Sequence, residues 1–79
     1  MLIPVDRLRA GESGVVRRIE GGRGILRRLE AMGVRPGKVV AKVSTVFMGG
    51  PVTVVVDGRQ MAMGRGIAGR VLVEVQRPE

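Results

Sequence analysis

The chain has 79 residues, with 14 Lys and Arg against 7 Asp and Glu, and a formal net charge of +7. Cys and His are absent, which excludes disulfide staples, thiolate metal sites and the usual nucleophile–base pairs. A hydrophobic fraction of 44% excludes a disordered chain, and with 1% aromatic residues the core falls to Val, Leu, Ile and Met.

This length predicts one small domain over residues 1–79, with a core of marginal size. No apolar run reaches the ~18 residues that span a bilayer. The opening "MLIPVDRLRAGE" lacks the apolar stretch of a signal peptide, so a cytoplasmic protein is expected. The basic balance favours acidic partners: nucleic acid, anionic lipid or an acidic protein face.

In chain order, Leu2, Val5 and Leu8 are placed to pack onto the body, ahead of a turn at Ala10-Gly11. "SGVVRRIE" reads as a strand with imperfect alternation, which suggests a bulge. In "GGRGILRRLEAMGVRPG" the period changes. Ile25, Leu29 and Met32 recur at i, i+4 and i+7, an apolar helical stripe. The predicted helix covers about 24–32, with Gly33 as its left-handed cap and Pro36-Gly37 in a type II turn. So short a helix must lean on a sheet.

"KVVAKVSTVFM" is the longest strand candidate. Val39, Ala41 and Val43 share one face; Lys38, Val40, Lys42 and Ser44 share the other. In "PVTVVVDGRQMAM", Asp57-Gly58 suits a primed two-residue hairpin turn. That register sets Val56 opposite Arg59, Val54 opposite Met61 and Val52 opposite Met63, with these valines and methionines facing the core. "RVLVEV" supplies a last strand. About five short strands, one helix and a helical turn at about 64–69 predict a mainly β protein, a small antiparallel barrel.

"GRGIAG", Gly64 to Gly69, fits the G-x-G-x-x-G of dinucleotide-binding proteins. That fingerprint needs a strand before it, a helix after it and a second parallel strand beyond. Ten residues follow Gly69, too few for that unit, so the glycines read as a turn with a short irregular helix. "GGRG" before the first helix lacks the Gly-Lys-Ser/Thr ending of a P-loop and reads as a turn as well.

The ordered set "RRLEAMGVRPGKVV", "FMGGPVTVVVDGRQMAM" and Ala68 before "VLV" resembles the ferrous iron transport protein A family, FeoA. Arg28, Leu29, Met32, Gly33, Pro36, Gly37, Gly49, Gly50, Pro51, Gly58, Ala68 and Val73 carry the match. The resemblance implies an SH3-like barrel and a small cytosolic protein that assists a membrane permease for ferrous iron. That permease carries a cytoplasmic GTP-binding domain, the expected docking partner, which would hold the protein at the inner face of the membrane. Three glycines in "GRGIAG" depart from the family's polar helix formers and predict a loose helical turn.

No catalytic set is found, so an enzyme is not expected. No cofactor site is assigned. A transition metal ion is a family-level partner to test, but the donors are limited to scattered carboxylates and Met sulfurs. Ferrous iron sites usually use imidazole or clustered carboxylates. Met61 and Met63 read as core, and no metal residue is assigned. Arg17, Arg18, Arg23, Arg27, Arg28 and Arg35 form a basic run that reads either as a solvated face or as a docking face, with Arg23, Arg27, Arg28 and Arg35 as its candidate contacts. Arg27 is spaced to pair with Glu30. Phe47 and Met48, at the next strand's end, add candidate apolar contacts. Two functions follow: docking on the permease, or nucleic-acid binding by a basic small barrel. The single Phe and the absence of Tyr and Trp weigh against the second, because single-strand binders use aromatic platforms.

Overall fold

Asp57 and Gly58 both take positive φ, 53° and 78°, in the computed structural model of the chain, which describes residues 1–44 and 50–76. Two positive φ values in succession make the primed turn whose twist matches its flanking strands. Strands β4 (Val52–Val56) and β5 (Arg59–Met63) pair in the expected register, Val56 to Arg59 and Val52 to Met63. Val52, Val54, Val56 and Met63 are buried, and Met61 packs on the core from its margin.

The other strands are β1 (Leu2–Pro4), β2 (Ser13–Ile19), β3 (Val39–Ser44) and β6 (Val71–Glu74). All six join one antiparallel sheet in the order β1-β6-β2-β3-β4-β5. The inward faces of β2 to β6 meet in one cluster, so the sheet curls around its own core. The largest fully buried side chains are all valines, among them Val16, Val54 and Val73. Each contributes roughly 1.5 kcal/mol or more by leaving water, which is how a chain with almost no aromatics builds a core.

The sheet has six strands rather than about five. Leu2–Pro4 pairs with β6, Ile3 opposite Val73, and the Met1 ammonium bonds the Glu74 carboxylate. That ammonium holds the Glu74 carboxyl below its ordinary value. A three-residue strand ending in proline has too little alternation to be seen in sequence. In β2 the register with β6 shifts between Val16 and Arg18, the expected bulge.

Helix α1 (Arg23–Ala31) begins at Gly22 without a side-chain cap and carries no acidic residue in its first turn. Its end is well made: Gly33 has φ 87°, its N–H bonds the Glu30 carbonyl, and the Val34 N–H bonds that of Leu29. Lys38 N–H then bonds the Arg35 carbonyl at 3.1 Å with Gly37 at φ 95°, the predicted type II turn. Helix α2 (Arg65–Ala68) forms within "GRGIAG" despite its glycines, because Ala68 is buried under it.

In β3 the two predicted faces separate as expected, and the inward one is that of Val40 and Lys42. Val39 and Val43 stand outward, exposed by 54% and 40%.

Candidate functional site

A helix whose apolar stripe faces a sheet must present its other side to solvent, and on α1 that side is basic. Arg23 and Arg27 are exposed one turn apart. Arg28 is exposed on the flank, where it lines a cleft of about 100 Å³ between α1, β5 and α2. Ile25, Leu29 and Met32 form the helix wall of that cleft, and Met63 and Ile67 the wall opposite. A second, more open groove of about 290 Å³ runs between the C-terminal end of α1 and β5, lined by Ala31, Met32, Arg59, Gln60 and Met61. Met32 borders both.

The structure therefore sets three of the predicted contact residues, Arg23, Arg27 and Arg28, on one short helix. Arg35 is exposed on the turn that follows. Phe47 and Met48 lie outside the described residues. Arg27 and Glu30 form no ion pair, against expectation; both side chains are exposed, where such a contact is worth little and water competes for it. The ion pairs of the described residues include Lys38 with Asp57 at 3.1 Å and Arg18 with Glu20 at 3.5 Å.

The sequence alone does not single out Arg59, Gln60 and Ala62. The hairpin register did put Gln60 and Ala62 on the outward face, but nothing local places β5 beside α1, thirty residues away in the chain.

Chemistry has little to work with here. Among the described residues no three acidic side chains gather as metal ligands, and the sequence has no His or Cys. Met63 is spent on the core. The donor set for a ferrous ion does not assemble on these residues. The setting of a dinucleotide fingerprint is also missing at "GRGIAG": the flanking strands β5 and β6 are not neighbours in the sheet, and α2 has four residues. Among the described residues no helix is long and apolar enough to cross a membrane.

Known proteins share this architecture. The FeoA domain matches residues 3–75. A protein of Methanocaldococcus jannaschii named for Fe(2+) transport, as transport protein A, is 32% identical over 73 residues, which cover 92% of this chain and 87% of that one. The crystal structure of an iron uptake regulatory protein, FeoA, superposes with a TM-score of 0.85 at 34% identity, over 94% of this chain and 96% of that one. Stenotrophomonas maltophilia FeoA, solved with zinc and described as a prokaryotic SH3 domain protein considered as a ferrous iron transport activating factor, gives 0.78 at 28% identity, over 91% and 89%. The small curled antiparallel sheet with its two short helices is thus the SH3-like fold, and this chain belongs to the FeoA family, which is linked to ferrous iron transport.

Proposed function

We propose that this protein is an accessory factor of ferrous iron uptake that works by docking on the cytoplasmic GTP-binding portion of a membrane iron permease. Membership of the FeoA family gives the link to iron transport. The observation that carries the docking mode is the exposed, basic α1 beside an apolar cleft. Arg23, Arg27 and Arg28 steer an acidic partner, and the cleft supplies area that is desolvated on contact. Among the described residues no three acidic side chains gather as metal ligands, and the sequence has no His or Cys, so the reading rests on contact rather than chemistry. The protein acts from the inner membrane face while the permease holds it there.

The test is binding of the purified protein to the full-length permease in nanodiscs, beside binding to single-stranded and duplex oligonucleotides. Saturable binding to the permease, weakened by salt, supports the reading. Tight binding to oligonucleotide with none to the permease replaces it with the nucleic-acid alternative.

A further inference from the structure

Every sheet that does not close has two edges, and each edge is a row of backbone groups open to pairing. Here they are β1 and β5. The β1 edge is blunted: it has three residues and ends in Pro4, which has no N–H to offer. The β5 edge is less blunted, its one charged residue being the exposed Arg59 at its start. It has five residues in unbroken register with β4, with no proline, no lysine and no bulge. Its first four residues are exposed or only partly buried.

The hairpin register says which groups on that edge are open. In a two-residue hairpin the pair flanking the turn exchanges both hydrogen bonds, and bonded and non-bonded pairs then alternate. Val56–Arg59, Val54–Met61 and Val52–Met63 are therefore the bonded pairs. Gln60 and Ala62 fall between them, so their N–H and C=O groups point away from β4. No loop or helix backbone among the described residues bonds Gln60 or Ala62. Two donors and two acceptors stand along the outer side of β5. The groove and cleft described above follow one another along that row: Gln60 and Met61 line one, Ala62 and Met63 the other, and α1 forms the far wall of both.

We propose that β5 takes up an extended, acidic segment of a protein partner as a seventh strand, lying between β5 and α1. The backbone groups of Gln60 and Ala62 pair with it. An aliphatic side chain of the segment enters the cleft of about 100 Å³. Its acidic side chains meet Arg28 at that cleft and Arg59 at the second groove. Both guanidiniums are exposed and neither forms an ion pair among the described residues. Main-chain bonds give such an addition its affinity, and pockets for alternate side chains give its specificity.

Charge decides against a second copy of this chain as the occupant. Two β5 edges paired together would bring Arg28 and Arg59 of one molecule against those of the other, on a protein of net charge +7. Nucleic acid is also a poor occupant, since the row offers no aromatic platform.

This inference rests on the docking reading above, and the experiment separates the two. The isotope-labelled protein, bound to the full-length permease in nanodiscs, is exposed to D2O, released into quench and read amide by amide by NMR. The Gln60 and Ala62 amides are expected to exchange freely in the unbound protein and to slow at least about tenfold when bound, while Met61 and Met63, already in the β4 ladder, change little. Binding with Gln60 and Ala62 still exchanging at the free rate overturns strand addition and leaves docking standing. No binding overturns both. Ala62→Pro removes an N–H that the β4–β5 ladder does not use, and should weaken binding about tenfold. Wild-type affinity in that variant, with its fold intact, overturns strand addition; if the variant does not fold, the exchange pattern of the wild type decides.

Discussion

The Lys42 Nζ donates to the carbonyl oxygen of Leu8 at 2.8 Å, joining residues 34 apart in sequence. A second bond at 3.2 Å reaches the carbonyl of Asp6. These carbonyls close the short 3-10 helix Val5–Arg7, whose last acceptors have no partner within the helix. A lysine only 9% exposed is thus held inside the barrel's end by backbone oxygens. It anchors the segment that carries Val5 and Leu8 into the core.

Replacing Lys42 by Met keeps the stem and removes the donors. Two sheltered carbonyls then lose their partner, at about 1–3 kcal/mol. Lys38→Met breaks only the exposed pair with Asp57, whose side chains are 38% and 58% accessible, and should cost less than about 1 kcal/mol. Urea denaturation of the two variants checks the difference. Equal losses would mean that the Lys42 bonds to Asp6 and Leu8 do not hold the segment.

The turn residue Gly58 has φ 78° and no neighbour that would meet a Cβ. Strain there is conformational rather than steric crowding. Gly58→Val should lower stability by about 1–3 kcal/mol, since a β-branched residue resists positive φ. Gly58→Asn should lose well under half of that, because Asn tolerates the left-handed region. Thermal melts of the pair decide; identical melting would show that the turn is not of the primed type.

Gly14 and Gly24 make a contrasting pair. A Cβ on Gly14 would stand 2.9 Å from Val73 Cγ2 and 3.0 Å from the Glu74 carbonyl oxygen, and the backbone oxygen cannot move aside cheaply. Gly14→Ala should destabilise by about 1–3 kcal/mol through overpacking. Gly24 lies inside α1 with nothing within 4 Å of its would-be Cβ. Gly24→Ala should stabilise by about 0.5–1 kcal/mol, from helix propensity alone. Denaturation midpoints moving in opposite directions confirm the packing of β2 on β6.

Local chemistry made much of this fold legible in sequence. Asp57-Gly58 dictated its own turn and with it the whole β4–β5 register. Gly33 and Pro36-Gly37 marked the end of α1 and the entry to β3 through the φ each residue type accepts. The direction of β3 was not legible. Its outward set, Val39, Ala41 and Val43, is more apolar than the inward set that contains Lys42. Only the distant carbonyls of Asp6 and Leu8 make Lys42 acceptable inside, and no pattern within β3 shows them. The basic run on α1 was visible as a run. Its cleft was not, because its walls come from residues 25–32 and 62–67 and exist only once the sheet has curled.

Charge-assisted docking of α1 on the permease is read out in the association rate. Steering between opposite charges is screened over a Debye length of about 8 Å at physiological salt, so it shows in the on-rate and fades as salt rises. With full-length permease immobilised in nanodiscs, the wild-type protein should associate more slowly at each step up in salt. Arg23→Glu combined with Arg27→Glu reverses two exposed charges on α1 and touches no core residue. That variant should associate at least about tenfold more slowly at low salt, with little further salt dependence. A wild-type on-rate indifferent to salt, or a double variant that associates like wild type, would overturn charge-assisted docking and leave the basic run a solvated face.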